Sequence, residues 1–575
     1  MFNVNLTKPV SSILLKNDGF LETVKLKQFL KSIHNLPKQL QGRTLFLDSA
    51  HKGLKMISSH ILELEELEEL HLEKNQIEKI PESIRHLKNL KVLYLNNNNV
   101  KYVCEEFGEL KNLQSLDLSS NPLPAIALHT VSKIYTLREL RLYNINLEEF
   151  PVQICRYLHH LELLGLSGNN LHFLPKEIVN LSQLKEIYLQ QNKFERFPQE
   201  LCSLYNLEVL DIEKNTLSSI PIEISFLSKL TKLFIGFNFL QLLPDSLYLC
   251  KALFILTASN NHVHTLPGNI RELTELSEVD LSDNSLKELP YQLCQLTSVC
   301  VLYLKNTGLK MLPTAFARLT TVRILDLSQN LFQYFPIEIC SLINLEILSF
   351  DDNRLRKISS EVKALSQLIH LGLTGNKFTR FPKEIFSLAS LQKLYLGQDQ
   401  GTKLKVLPDK ICKLENLKEL HIENNRIESL PSTIGLLQKL EILDCTNNFL
   451  KQLPDSICEI QGMKKLILVS NMLDKLPENL DMLQNLQVLL LDKNPLREPP
   501  TEVWYKGKAA IWQYLQDKRR KKAMATKIQA WWRGIMVRKG FGPFEYLLKL
   551  RGPKGKKGKK GKKGKKAGKG KVKKK

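Results

Sequence analysis

No stretch of this sequence runs to about 18 consecutive apolar residues, so no segment reads as a membrane-spanning helix. No Gly-rich phosphate loop, zinc-ligand spacing or nucleophile elbow occurs, and the histidines are scattered, with His71 and His421 expected to sit alone on strands. No enzyme class, metal or cofactor is therefore expected. The ten cysteines include no Cys-x-x-Cys pair. The opening stretch lacks a basic region followed by an apolar core, so it does not read as a signal peptide, and the chain is expected in a reducing cytosol. The sequons at Asn5 and Asn180 are then expected to be chance matches. Tryptophan is scarce: there are four, and two of them are adjacent at Trp531 and Trp532.

Charge is unevenly spread. Of 82 basic and 59 acidic residues, 27 and 3 fall between Thr501 and Lys575. The preceding body is left with 55 and 56, so it is electrically balanced. Any argument from net charge about partners belongs to the last 75 residues.

What fills the body is one repeating unit. Segments such as "LEELHLEKNQI", "LKVLYLNNNNV" and "LEVLDIEKNTL" share the pattern LxxLxLxxNxL, usually at 23-residue steps. Three Asn slots hold Ile145, Thr307 and Asp399 instead. Steps of 24 residues flank Ile145, and "QDQGTKLKVLP" runs three residues longer than its neighbours. A degenerate copy, "LFLDSA", precedes the first full unit, giving about twenty units between Thr44 and Pro500.

One unit shows the logic. In LxL, leucines alternate with outward residues, so the segment is expected to be a short strand with one buried face. The Asn amide is expected to satisfy backbone groups at the turn that follows. The Pro-led limb then returns with apolar residues at near-helical spacing. A unit cannot bury its own leucines, whereas stacked units bury each other's. The expected fold is an α/β solenoid: parallel strands line the concave side of a curved horseshoe, and bulkier return limbs form the other. Cys155, Cys202, Cys294, Cys340, Cys412 and Cys458 each fall four residues after a proline, so they are expected to be small buried hydrophobes at one repeat position.

The strand face is the expected protein-binding surface. Its middle positions read Tyr188, Asp211, Phe234, Thr257, Asp280, Tyr303 and Asp326. Phe237 follows one turn from Phe234. Tyr188, Phe234, Phe237 and Tyr303 are the candidate anchors for an unidentified protein partner, since aromatics dominate interface energetics. The competing reading is a solvated face with scattered aromatics.

Five domains follow: an N-terminal cap region (1–43), the repeats (44–500), a cap helix (501–522), a basic helix (523–545) and a disordered Lys/Gly tail (551–575). In the cap helix, Ala510, Ile511, Tyr514 and Leu515 would cover the last repeat's apolar edge. In the basic helix, Ile528, Trp531, Trp532 and Ile535 fall at i, i+3, i+4 and i+7, one apolar stripe flanked by Arg533 and Arg538. Such a helix suits a partner with an apolar groove and an acidic rim; packing back onto the rod and lying on an anionic membrane are the alternatives. The tail carries 15 positive charges and too few apolar residues for a core. Polyanions would attract to it without sequence preference: RNA, tubulin's acidic tails or anionic lipid.

The 23-residue repeat with "LP" after the strand resembles intracellular Ras-associated and scaffold-type leucine-rich repeats, which are binding platforms. "IQAWWRGIMVR" matches the IQ motif, Ile-Gln-x-x-x-Arg-Gly-x-x-x-Arg, at Ile528, Gln529, Arg533, Gly534 and Arg538. From about Thr44 to Lys539 the chain resembles the leucine-rich repeat and IQ domain-containing family. That resemblance implies a site for calmodulin or an EF-hand light chain, held even without calcium. Ile528 would enter one lobe's groove, with Trp532 and Ile535 on the same stripe. Gln529 would hydrogen-bond the lobe's backbone and Arg533 would meet acids. Gly534 would allow close approach and Arg538 would contact the other lobe. The expected role is a cytoplasmic scaffold, in signal transduction. A protein tethered to microtubules or RNA through the tail is the alternative, and cytoskeletal, ciliary and nuclear destinations stay open.

Overall fold

The computed structural model describes residues 45–398, 403–539 and 541–542. The expected N-terminal cap (1–43), the Asp399 slot and the lysine-rich tail (551–575) lie outside the described residues. The chain divides into two compact units, one ending at Arg426 and the other beginning at Ile427.

In the first unit each LxL segment forms a three-residue strand, from Phe46–Asp48 to Glu419–His421. The central residue points inward and its two neighbours face out, as in Glu69–His71, where Leu70 is buried. Each strand pairs in parallel with the same segment of the next repeat, so Leu210 lies opposite Leu233 and Leu233 opposite Leu256. The degenerate first copy joins this ladder, with Leu47 opposite Leu70. The leucine-rich solenoid expected from the repeat is the fold observed.

After the strand the backbone turns through a left-handed residue. Lys74, Asn97, Lys214 and Asn260 have φ of 58°, 57°, 52° and 54°. Gly168 and Gly375 occupy the same slot at 71° and 69°. A non-glycine residue is strained there, so something must hold the turn. The Asn that follows does so. Asn98 Nδ2 donates to the Leu95 carbonyl of its own repeat and to the Leu72 carbonyl of the preceding one, both at 2.9 Å. Its Oδ1 accepts from the Ile77 amide at 3.0 Å. One side chain thus closes its own turn and staples two repeats. Where Ile145 fills the slot, the Leu147 amide keeps the usual bond to Asn169 Oδ1 at 3.0 Å, and the Ile145 amide adds a second at 3.1 Å. Thr307 keeps a single bond of the set, from Oγ1 to the Leu304 carbonyl at 2.9 Å.

The return limbs are shorter than their near-helical spacing suggested. Most are single 3₁₀ turns of five residues, such as Glu82–His86 and Ile222–Phe226. Proline opens the turn with extended geometry and a leucine near φ −80° ends it. True α-turns appear at Ala125–Val131 and Val152–Tyr157. These lie in the two 24-residue steps around Ile145, where the extra residue gives the limb room for an α-turn. Most of the proline-linked cysteines are buried as expected, but Cys412 is half-buried. All ten are free thiols, and burial pushes Cys155, Cys202 and Cys458 up to about 12, far from the reactive range.

The second unit carries strands Ile442–Asp444, Lys465–Ile467 and Val488–Leu490, then a short helix Thr501–Trp504 and a long helix Lys508–Lys539. No helix among the described residues is long and apolar enough to cross a membrane.

Candidate interaction sites

The sequence suggested a cap helix followed by a separate basic helix. The structure joins them: Lys508–Lys539 runs unbroken for 32 residues, about 48 Å. No proline or glycine interrupts it before Gly534, and lysine, arginine, alanine, glutamine and methionine are good helix formers. Its first half is fixed to the repeats of its own unit. Ile511 and Leu515 are buried. Arg519 clasps Asp481 with both guanidinium arms, Nη1–Oδ1 at 2.6 Å and Nη2–Oδ2 at 2.5 Å, and also reaches the Glu478 carbonyl at 2.7 Å. Lys518 pairs with Glu498, and Lys522 with Glu478 at 3.0 Å. The Asp481 side chain is 5% exposed, so this bidentate pair is largely desolvated and worth more than an ordinary surface pair. Beyond Lys522 the helix projects. Ile528, Trp531 and Trp532 are 62%, 61% and 55% exposed, while Gly534 and Ile535 are half-buried and Gln529, Arg533 and Arg538 are exposed. Of the two competing readings, packing of the tryptophans onto the rod is not what the structure shows.

The strand-face aromatics are brought to one side of the first unit but not into mutual contact. Register puts Asp211 between Tyr188 and Phe234, and Thr257 and Asp280 between Phe234 and Tyr303. With strands about 4.8 Å apart, these rings are spaced by roughly 10 and 14 Å. Tyr188 is held by Glu186, its hydroxyl donating to Oε2 at 2.8 Å. Phe237 differs from its repeat equivalents. It sits in the left-handed slot at φ 54°, mostly filled elsewhere by Lys, Asn, Gln, Asp, Ser or Gly, and it is 46% exposed. A bulky ring is uncommon in this left-handed slot. The Lys214 ammonium lies 5.6 Å from its centroid. Sequence reasoning missed Phe239, which is half exposed and stacks on His262 at 5.8 Å.

Two further features were not read from the sequence. His71 does not sit alone: it lies between Phe46 at 5.1 Å and Tyr94 at 4.8 Å and bonds Glu69 at 2.7 Å. His421 likewise stacks on Tyr395 at 4.5 Å, and Tyr395 on His370 at 4.9 Å. Adjacent repeats explain both: Tyr94 and Tyr395 stand opposite His71 and His421 in register, 23 and 26 residues away, while Phe46 and His370 lie diagonally, at the other outward position of the preceding strand. The second feature is burial of acids on the strand face. Burial pushes Asp211 and Asp351 up to about 7 and raises Asp117 and Asp280 less far. Long side chains lean over glycines of the next strand: a Cβ at Gly165 would meet the Tyr143 ring at 2.4 Å, and one at Gly372 would meet Asp351 Oδ2 at 2.6 Å.

Comparison with known proteins agrees with this geometry. The leucine-rich repeat region family matches residues 116–247 and 314–423, and a second leucine-rich repeat family matches 52–123. The IQ calmodulin-binding motif matches residues 525–542, the projecting half of the long helix and the residues just after it. Leucine-rich repeat and IQ domain-containing protein 4 of Mus musculus is 55% identical over 202 residues, 35% of this chain and 33% of its own length. The protein of that name in Homo sapiens is 51% identical over 184 residues, 32% of this chain and 33% of its length. The matched segments thus span about a third of these relatives. A leucine-rich repeat protein of Leptospira interrogans superposes with a TM-score of 0.53 at 29% identity, covering 83% of this chain and 96% of that one.

Proposed function

Because the chain is a leucine-rich repeat protein that carries an IQ motif, related to the leucine-rich repeat and IQ domain-containing proteins, we propose that it is a non-enzymatic intracellular scaffold. It holds calmodulin or a related EF-hand light chain on its long helix and a second protein on the strand face of its first unit. Both modules are interaction modules. The observation that carries the reading is the exposed stripe of Ile528, Trp531 and Trp532 on a helix whose other half is pinned in place.

Leaving three large apolar side chains in water forgoes about 1.5–3 kcal/mol apiece, which an apolar groove would recover. The flanking Arg533 and Arg538 suit the acidic rim of an EF-hand lobe, and Gln529 lies exposed beside Ile528 to bond the lobe's backbone. Gly534 is informative. A Cβ there would meet nothing nearer than Arg538 Nη2 at 3.7 Å, so the helix itself has no need of glycine. Glycine in mid-helix costs about 1 kcal/mol against alanine, and close approach of a partner is what it offers in return. The helix is also pre-formed, so a partner spends no free energy ordering it. Buried, unreactive free thiols suit a reducing compartment.

Calorimetry of the full chain against calmodulin, with calcium and with chelator, tests the first half. The expected result is one-to-one binding that the double variant Ile528→Glu, Arg533→Glu weakens by roughly a hundredfold, the sum of a lost apolar anchor and a reversed charge. Equal binding by the double variant would place calmodulin elsewhere. The strand face is tested with alanine at Tyr188, Phe234, Phe237 and Tyr303. Proteins captured by the wild-type chain should be lost while calmodulin is retained; an unchanged capture profile would remove this patch from the proposal.

A further inference from the structure

Several exposed charges in the first unit meet the opposite sign one repeat away. Lys91 pairs with Glu68 at 2.7 Å, Lys185 with Glu162 at 2.7 Å, and Arg323 with Glu346 at 2.6 Å. Equivalent positions of neighbouring repeats are about 5 Å apart, so alternation is the stable arrangement and like charges there repel.

One flank reverses the rule. It is the loop between the Asn slot and the following 3₁₀ turn, in successive repeats "RLRKI" (354–358), "KFTRF" (377–381) and "KLKVL" (403–407), followed by Arg426. No acid stands in the first three of these loops; the loop of Arg426 carries Glu428, which pairs with Lys451 at 3.4 Å. The backbone fixes their alignment. The Arg354 amide donates to the Phe332 carbonyl and the Lys377 amide to the Leu355 carbonyl, both at 2.9 Å. Leu355 and Leu404 donate equivalently to Asn376 and Asn425 Oδ1, at 3.0 and 2.8 Å. Arg354, Lys377, Lys403 and Arg426 therefore form one column of four successive cations. Lys357 and Arg380 form a second, one repeat apart.

Arg354, Arg356, Lys357 and Lys377 open into a single cavity of about 570 Å³, walled also by Tyr334 and Ser359. None of the ion pairs found among the described residues involves these four cations. The nearest acids in sequence are engaged elsewhere. Asp352 leans over Gly375, where a Cβ would meet its Oδ1 at 2.0 Å. The Glu361 carboxylate accepts from the Ser359 and Ser360 hydroxyls, the latter at 3.0 Å. The body of the chain is electrically balanced, so this is a local concentration of charge, separate from the basic C-terminal segment.

We propose that this cavity binds a compact polyphosphate, such as an inositol polyphosphate, either free or as the headgroup of a lipid. Its volume lies in the usual range for small-ligand sites, about 300–1,000 Å³. The guanidinium forks of Arg354 and Arg356 match phosphate oxygens in pairs, and the two lysines supply further point charges. An acidic peptide is a poorer fit, because an extended chain advances about 3.3–3.6 Å per residue and brings one charge with each. A phosphorylated ring concentrates several doubly charged groups within the same space.

The test is hydrogen exchange of the full chain, read peptide by peptide, so that binding to the C-terminal lysines does not intrude. The probes are inositol hexakisphosphate, vesicles carrying phosphatidylinositol 4,5-bisphosphate, and oligoglutamate. Saturable protection of residues 354–359 and 377–380 by inositol hexakisphosphate is expected. Additional protection by the vesicles would identify the lipid source, and its absence the soluble one. The variant Arg354→Ala, Arg356→Ala, Lys377→Ala should lose on the order of a hundredfold in affinity at this site without a fall in Tm. Lys377→Glu should raise Tm, by giving Arg354 the partner that Glu346 gives Arg323, and should abolish protection. No protection at these peptides, equal protection in the triple variant, or protection by oligoglutamate alone would overturn the proposal.

Discussion

Replacing Asn215 by alanine is expected to destabilise its part of the solenoid by about 3–5 kcal/mol, the sum of several buried hydrogen bonds lost from one side chain. Its Nδ2 donates to the carbonyls of Leu189 and Ile212, both at 3.1 Å, and of Glu213 at 3.0 Å. Its Oδ1 accepts from the Phe194 amide at 3.1 Å. Alanine removes all four and leaves largely buried backbone groups unpaired. It also releases Lys214, the left-handed residue just before it, whose φ of 52° the amide holds in place. In a stacked repeat the damage is local to the repeats that share the bonds. The measurement is therefore hydrogen exchange at Phe194, whose amide should exchange on the order of a hundred- to a thousandfold faster. The same change at Asn494 should cost less, because its bonds to Leu468 and Leu491 lie nearer solvent in the last strand's turn. Equal effects at the two sites would mean that burial does not set the strength of the ladder.

That ladder was legible because it is local. The LxL alternation, the turn and the Asn all lie within eleven residues, so one unit read by itself specifies strand, turn and staple. The stripe of Ile528, Trp531, Trp532 and Ile535 was legible for the same reason, being spaced by a single helix. The missed features all depend on which residues become neighbours across repeats. His71 looks isolated in sequence, yet Phe46 and Tyr94 lie one repeat to either side. The cation column of Arg354, Lys377, Lys403 and Arg426 is hidden further by the three-residue insertion, which shifts the count between Lys377 and Lys403 until the hydrogen bonds of Leu355 and Leu404 restore the alignment. The exact form of the return limbs was left open for a different reason. Their apolar spacing fits an α-helix and a 3₁₀ turn alike, and five residues after a proline leave room only for the tighter one. The continuous terminal helix was divided at Lys522 because its two halves carry different patterns, a capping face and then the IQ motif. Ile511 and Leu515 face the repeats and Ile528 faces away, and a change of face is not a break in the backbone.

The buried carboxyls of the strand face make stability fall as pH rises through neutrality. Burial raises Asp211 from 3.8 to about 7, with the nearby Glu213 adding to the rise and the Glu213 amide and Lys214 opposing it. Asp351 is raised equally, by burial first and then by Asp326 and Asp352. A carboxyl with a higher pKa folded than unfolded binds its proton more tightly in the folded chain. Its contribution is full below the unfolded value and is lost as pH rises through the folded one. Between pH 5 and 8 both groups therefore draw stability down, by about 2 kcal/mol each. Asparagine keeps the acceptor in both places: Asp211 Oδ1 accepts from the Glu213 amide at 3.1 Å, and Asp351 Oδ1 from the Thr374 amide at 2.7 Å. The double variant Asp211→Asn, Asp351→Asn should accordingly raise Tm at pH 8, leave it nearly unchanged at pH 3, below the unfolded value, and flatten the profile between. A variant that lost stability at pH 8 would mean that the two carboxylates are ionised and paired when the chain is folded, with a counter-charge over the strand face that outweighs the cost of burying them.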